Sequence, residues 1–477
     1  MQDIIIIGCG VTGAACAYEL SRYRLRVTVL EANNDVAAAT TKANSAILHA
    51  GYDPRPGTLM ARLNVEGVRL AEDICARLDV PYHKIGSMVL AFDGPDRTVL
   101  DELLERGRAN GVPGLRLLVG DEARALEPEL SAEVSAALLA PTAAIVNPWE
   151  YALAMAETAV KNGVELRRLC RVTAISREKD GFTVTTAGGV FRSRFVINAA
   201  GVHAGEIHEL IAPPAFAIRP VKGEYYLLDK SEGRRVGRVI FQCPSHLGKG
   251  VLVSPTVHGN LIVGPTSEPS GMEDVSVTAK GLETVRRLAA RSVPGVRFRE
   301  NIRSFAGVRA NSDQGDFIIG ESAVPGFFDV AGICSPGLSA APAIARYLTG
   351  LMAERGLALE EKPDYDGSRR RVRFHELDDG ARNALIARDP RYGRVVCRCE
   401  TVTEGEIIAS LQAPIPPLSV NGVKRRVGAG MGRCQGGFCG PRVQEIMARA
   451  LGLAPAQIPL EGPESYILTG ETKEAWT

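Results

Sequence analysis

Apolar residues along the chain fall into distinct patterns, and each pattern predicts a different element. Ile4-Ile5-Ile6-Ile7 is continuous and β-branched, as in a strand buried on both faces of a parallel sheet. An alanine-rich helical stretch follows from Ala14 to Tyr23, and Arg26-Val27-Thr28-Val29-Leu30 predicts a second strand ending on Glu31. Helical periodicity returns from Met60 to Leu78, then a strand from Ser87 to Phe92, a charged helix from Pro95 to Asn110 and a short acidic helix from Asp121 to Leu126. Trp149 to Asn162 predicts a helix and Val164 to Ile175 a single strand. A hairpin turning at Gly181 and Gly188-Gly189 ends in the apolar run Phe195-Val196-Ile197-Asn198-Ala199-Ala200-Gly201.

Between about Pro213 and Arg303 the runs become short and alternating: Glu224 to Leu228, Val236 to Phe241, Gly250 to Ser254 and Leu261 to Gly264. Gly, Pro, Asn and His separate them, which predicts an antiparallel sheet inserted into the α/β unit as a substrate cap. The parallel unit is expected to resume with Phe317–Gly320 and Phe327–Gly332. The turn Cys334-Ser335-Pro336-Gly337-Leu338-Ser339 then opens a helix through Tyr347 and Met352. Gly356 to Arg394 is charged and poor in apolar positions, so a connector with one or two short helices is expected.

The first strand runs into Gly8-Cys9-Gly10-Val11-Thr12-Gly13, which spells G-x-G-x-x-G, and Glu31 closes the next strand. In that setting the glycines permit a tight turn, approach to a pyrophosphate and close helix–strand packing. The helix N-terminus faces the phosphates and the acid faces a ribose. The fingerprint alone does not choose between FAD and NAD.

With 477 residues, 45% of them hydrophobic, the chain is long enough for about three domains. A net charge of +1 gives no support for nucleic-acid binding, and the runs Arg369-Arg370-Arg371 and Lys424-Arg425-Arg426 are expected to be connector and surface charge. No stretch approaches 18 apolar residues and no leader precedes the first strand, so no transmembrane segment and a cytoplasmic location are expected. Of ten cysteines, Cys9, Cys16, Cys75, Cys170, Cys243 and Cys334 are scattered through apolar contexts. Cys397, Cys399, Cys434 and Cys439 form C-x-C, thirty-four residues, then C-x4-C. Four thiolates at this spacing suit a zinc ion or a 2Fe-2S cluster, and the glycine-rich approach Gly428 to Arg433 offers N–H groups to cluster sulfides.

The first 350 or so residues resemble the D-amino-acid-oxidase-like superfamily of FAD-dependent oxidoreductases. The resemblance is carried by Gly8 to Gly13, Glu31, Thr40-Thr41, Asn44-Ser45, His49-Ala50-Gly51, Asn198 to Gly201, Lys222 to Tyr225, Gly307-Val308-Arg309 and Gly332 to Leu338. It implies FAD held by Gly8, Gly10, Val11, Thr12, Gly13, Glu31, Ala32, Thr40, Thr41, Asn44, Ser45, Val172, Ala200, Gly201, Gly332, Pro336, Gly337, Leu338 and Ser339. The late helix would point its N-terminus at the flavin pyrimidine, where negative charge gathers on reduction. It also implies His49 as proton acceptor, or else a packing or flavin contact. Arg309 would grip an anionic substrate, or else make a salt bridge, and Lys222 would be a second cation in the cap strand.

Residues from about Gly393 to Leu453 resemble the bacterioferritin-associated-ferredoxin-like domain, whose cluster is 2Fe-2S. Together the two halves resemble the flavoprotein subunits of anaerobic-type FAD-linked glycerol-3-phosphate dehydrogenases. The expected division is 1–356 oxidoreductase (FAD-binding parts about 1–80, 146–212 and 304–356; cap about 81–145 and 213–303), 357–393 linker, 394–453 iron-sulfur domain and 454–477 tail. The expected fold is α/β: a Rossmann-like FAD-binding domain with an inserted antiparallel cap, plus a small α-rich iron-sulfur domain. The expected activity is oxidation of a small anionic secondary alcohol, sn-glycerol 3-phosphate first. L-2-hydroxyglutarate or an amino acid such as a secondary amine is the alternative substrate, and a non-catalytic redox-sensing or assembly protein the alternative role. Electron-accepting protein subunits, a second flavoprotein or a small iron-sulfur protein, are the implied partners.

Overall fold

The computed structural model of the chain describes residues 1–244 and 250–470, so the last seven residues of the expected tail lie outside the described residues. The Gln2–Ile7 strand sits in the middle of an eight-stranded sheet, paired in parallel with Val27–Leu30 on one side and Gly189–Asn198 on the other. Its isoleucines divide between two cores. Ile4 and Ile6 pack with the helical layer, and Ile5 and Ile7 with Val172, Ile175, Phe182 and Val184 on the opposite face. Each is worth roughly 1.5–3 kcal/mol of burial, which is why this run needs apolar residues at consecutive positions.

The helical layer is built from Val11–Leu20, Pro148–Lys161 and Gly337–Glu354, with Leu59–Leu78 crossing the last of these. The first of these helices starts at Val11, inside the glycine fingerprint, and stops at Leu20, three residues short of Tyr23. Gly8 has φ +97°, and a Cβ there would stand 2.5 Å from the Ala199 carbonyl oxygen; a Cβ at Gly13 would stand 2.0 Å from that of Gly8. Only glycine lets strand, turn and helix approach this closely.

Two strand assignments differ from the sequence pattern. Val164 to Ile175 is not one strand: Glu165–Arg167 pairs with Val27–Leu30 at one edge of the sheet, and Val172–Glu178 opens an antiparallel meander at the other. The chain turns at Leu169, in the left-handed region at φ +58° without a glycine to signal it. Phe317 to Gly320 does not continue the parallel unit either. Ile318–Glu321 runs antiparallel to Phe327–Ala331, and only the latter joins Gly189–Asn198 in parallel.

The second sheet has nine strands, antiparallel throughout except where Val239–Gln242 meets Ser87–Ala91. Its longest pairing joins Ile218–Leu228 to Asn301–Ser312, placing Arg309 opposite Val221, Gly307 opposite Gly223 and Phe305 opposite Tyr225. One face carries Ala279–Ser292 over a core of Met88, Ile240, Val253, Val263 and Val285. The other packs on Ile47, Tyr52 and Val65 and on Leu100, Leu103 and Leu104 of the helix Gly94–Ala109.

The C-terminal helices Glu404–Leu411, Val420–Val427 and Gly440–Leu451 close on a core of Val402, Ile407, Val423, Val443 and Met447. The connector contains the helix Asp379–Arg388 but is not a solvated tether. Arg369, Arg371 and Arg373 converge on the buried carboxylate of Glu150, at 3.6, 2.9 and 3.1 Å. Arg425 and Arg426 converge on buried Asp35, and Arg371 also donates to the Arg426 carbonyl. The expectation that both arginine runs are surface charge is therefore corrected. A carboxylate this deep is stable only with cations beside it, and these cations come from segments more than 200 residues away.

Candidate active site and cysteine centre

Thr41 stands on the short helical turn Thr40–Lys42, and its Oγ accepts from the Val11 N–H at 3.0 Å. The remaining first-turn N–H groups of Val11–Leu20 have no intrahelical partner, and Gly10 lies beside them. Glu31 is buried; one carboxylate oxygen accepts from the Cys9 N–H at 2.7 Å, and the other from the backbone and side chain of Asn33 at 2.8 Å each. Burial pushes this carboxyl above its ordinary value, against the pull of those N–H groups. The first oxygen keeps acceptor capacity for a ribose hydroxyl. Ala32 follows at the strand end, half-buried, and Val172 begins the meander in the apolar layer beneath. Ala200 and Gly201 follow the Gly189–Asn198 strand, Gly201 at φ +61° with open space where a side chain would go. A helix N-terminus, a buried acid at the next strand end and a bare backbone corner fit the dinucleotide half of FAD.

The flavin-facing half is tied together by side chains. Asn44 donates to the carbonyls of Thr40 and Thr41, and Thr40 donates to the Val308 carbonyl at 2.6 Å. Gly307 packs so closely on this turn that a Cβ would stand 1.9 Å from the Ala43 carbonyl oxygen. Ser45 lies 3.3 Å from the Tyr225 hydroxyl. The His49 N–H donates to the Ser339 Oγ at 2.7 Å, its Nε2 lies 3.2 Å from the Ser335 Oγ, and its ring stacks on Phe241 at 5.6 Å. The helix Gly337–Glu354 begins beside it, with Pro336 at the N-cap, Leu338 half-buried in its first turn and Gly332 at φ +66° just before.

Of the expected polar residues, Lys222 and Arg309 do not share a face. Arg309, Gly307 and Phe305 share one face of the cap sheet with Val221, Gly223 and Tyr225, the face that meets Ala43 and Ser45. Arg309 lies over Gly223, reaches the Thr266 carbonyl at 3.4 Å, and makes no ion pair among the described residues. Lys222 points to the other face. It is buried and bound to Asp274 at 2.9 Å and Ser276 at 3.1 Å, so its charge is spent within the cap. The idea of Lys222 as a second substrate cation beside Arg309 is not met by this geometry. Tyr225 and Phe241 are the side chains here that were not among the expected site residues. Tyr225 had a signal, since it stands two positions after Gly223 on the face of Arg309.

At the other end of the chain the four cysteines lie in neighbouring pairs. The sulfurs of Cys399 and Cys434 are 3.8 Å apart, and Cys397 and Cys439 form a second neighbouring pair. The Cys439 thiol and the N–H groups of Gly430 and Glu400 lower the Cys397 pKa to about 6, so a thiolate is favoured there near neutral pH. Gly428, Gly430 and Gly436 take positive φ around this centre. Among the described residues no three metal-ligating side chains converge on one metal position, and sulfurs brought together in pairs, with backbone donors beside them, suit a 2Fe-2S group held by four thiolates better than a single metal ion. The other cysteines are buried singly or, at Cys334, half-buried; none of the ten forms a disulfide.

Residues 3–351 match the family described as FAD dependent oxidoreductase. The chain belongs to this family. Residues 395–449 match the BFD-like [2Fe-2S] binding domain, so the chain carries an FAD oxidoreductase fold followed by a 2Fe-2S module. A glycerol 3-phosphate dehydrogenase of Caloramator mitchellensis is 45% identical over 476 residues, 99% of each chain. A glycerol 3-phosphate oxidase of Mycoplasma genitalium is 31% identical, covering 76% of this chain and 97% of its own. Among solved structures, the dithionite-reduced L-alpha-glycerophosphate oxidase of Mycoplasma pneumoniae with FAD bound superposes with a TM-score of 0.74. It has 32% identity and covers 77% of this chain and 98% of that one. Among the described residues no helix is long and apolar enough to cross a membrane.

Proposed function

We propose that the protein oxidises sn-glycerol 3-phosphate to dihydroxyacetone phosphate and delivers the electrons to an acceptor other than oxygen. One observation carries this reading. The dehydrogenase relative matches the whole chain including the cysteine module, whereas the matched oxidase covers 76% of this chain though 97% of its own. The segment separating the two is the one that holds the four cysteines.

In this reading Arg309 binds the phosphate. Its fork makes no ion pair among the described residues and lies on the face that meets the flavin-side turn, and a planar guanidinium suits two phosphate oxygens at once. Ser339 and the Phe241 ring fix the backbone and ring of His49, which accepts the proton of the secondary hydroxyl at Nε2 once the substrate hydroxyl takes the place of the Ser335 contact there. Tyr225 and Ser45 close the side of the cleft beneath the cap. When bound, FAD supplies the acceptor for the carbinol hydride, and the 2Fe-2S group supplies a one-electron outlet. The accepting partner is a redox protein, a second flavoprotein or a small iron-sulfur protein. Ten cysteines without a disulfide suit the reducing cytoplasm.

Steady-state dye reduction with glycerol 3-phosphate, L-2-hydroxyglutarate and a secondary amine tests the substrate. The proposal requires glycerol 3-phosphate to give the highest kcat/KM. A higher value for either of the others would transfer the assignment to that substrate.

A further inference from the structure

Phe438 is 87% exposed, the highest exposure of any large apolar side chain among the described residues. It sits in the loop between Cys434 and Cys439, one peptide bond from the buried Cys439. Across the centre, Cys399 is also exposed, and its sulfur meets that of Cys434 at 3.8 Å. This end of the module is therefore where the four cysteines come closest to solvent. Two exposed arginines flank it: Arg398, between Cys397 and Cys399, and Arg442, in the first turn of Gly440–Leu451. Neighbouring cations are neutralised, Arg391 by Asp389, Arg394 and Arg449 by Glu404, and Arg433 by Glu300 and Asp229. Arg398 and Arg442 make no ion pair among the described residues.

We infer that this tip is the docking surface for an acidic one-electron redox protein, with Phe438 as the apolar anchor and Arg398 and Arg442 as the cations that select it. A lone exposed aromatic ring in a loop between two cysteines, with two unpaired exposed guanidinium groups on the adjoining segments, has the composition of an interface centre with a charged rim. Unpaired positive charge steers an acidic surface toward it and repels a basic one. One aromatic is too small an apolar face for a membrane anchor. Each encounter passes one electron, oxidising the centre and reducing the partner by one, and two encounters discharge the pair removed from one alcohol. The inference rests on the proposed dehydrogenase reading for the source of those electrons, but the docking surface can be tested without turnover.

Native cytochrome c and its succinylated form offer one haem in a basic and an acidic shell. Binding is measured at low ionic strength by biolayer interferometry on the cluster-loaded protein without substrate, and reduction is followed anaerobically with glycerol 3-phosphate. The succinylated form should bind and be reduced at least about tenfold better than the native form, with the advantage fading as salt is added. F438A should weaken binding of the succinylated form, and the R398E/R442E double variant should abolish or invert the preference; iron content and flavin bleaching by substrate are checked in each. Equal binding of both forms, preference for native cytochrome c, or variants that behave as the parent would overturn the inference. Variant-sensitive co-sedimentation with anionic lipid vesicles without a preference between the cytochromes would also overturn it, in favour of a membrane. Failure of the parent protein to bleach its flavin would overturn the dehydrogenase reading instead, and the binding arm would still decide the docking surface.

Discussion

The guanidinium of Arg426 closes on the carboxylate of Asp35 with two parallel bonds of 2.9 Å, across 391 positions of sequence. Arg425 adds a third contact at 3.1 Å, and Glu461 holds Arg425 and Lys42 together at 2.7 and 3.1 Å. The module with the cysteines is thus locked to the loop that follows Glu31, and to the turn that carries Thr40 and Thr41.

Asp35→Asn should loosen the module. It leaves buried Arg426 without its anion and Arg425 with Glu461 alone, a loss of about 3–5 kcal/mol by the usual cost of breaking a buried pair. The expected outcome is faster proteolysis in the connector and slower electron delivery to an external acceptor, with flavin bleaching by substrate retained. Limited proteolysis and stopped-flow absorbance read these separately.

Acid should act through the same contacts. Burial alone would raise the carboxyls of Asp35 and Glu150, but Arg426 and Arg425 beside the first, and Arg371, Arg369 and Arg373 beside the second, hold both below the usual range. As pH falls the unfolded chain binds these protons first. Their contribution is therefore complete above about pH 4 and is lost as pH drops through the depressed folded values. Melting temperature measured from about pH 6 to 3 should fall steeply at the acid end, and less steeply in Asp35→Asn or Glu150→Gln, whose starting stability is lower.

Arg309→Met should cost about 100-fold or more in kcat/KM for glycerol 3-phosphate, the scale of a lost charge-assisted contact of 2–3 kcal/mol. Arg309→Lys should recover part of this, because charge is kept while the fork is lost. Lys222→Gln should leave KM within about threefold, because Lys222 serves Asp274 on the far face. A large KM effect at Lys222 and none at Arg309 would reverse the assignment.

Cys434→Ser should remove the iron-sulfur absorbance and stop reduction of a protein acceptor, while leaving flavin bleaching by substrate unchanged. Loss of FAD from that variant would show that the two parts depend on each other for folding.

Local order was legible in the chain wherever one short run determined it. The four isoleucines, the glycine turn and Glu31 describe their own strand, turn and acid, and the paired cysteines announce a centre by spacing. What escaped depended on distant partners. Arg369, Arg371 and Arg373 look like a solvated run until Glu150 is found beneath them, and Arg425 and Arg426 until Asp35 is. Lys222 and Arg309 both suggest substrate cations, and only the register of Ile218–Leu228 against Asn301–Ser312 puts them on opposite faces. Val164 to Ile175 divides for a related reason: a left-handed leucine at position 169, with no glycine to mark it, parts the run into two strands at opposite edges of the sheet.

The central claim is that substrate hydride enters at the flavin beside His49 and Arg309. An anaerobic absorbance spectrum of the purified protein, before and after adding glycerol 3-phosphate, tests it most directly. Loss of the oxidised flavin band near about 450 nm within one turnover, in the parent and in Cys434→Ser but not in Arg309→Met at the same substrate concentration, is the result expected. A flavin spectrum unchanged by glycerol 3-phosphate in the parent protein would contradict the account.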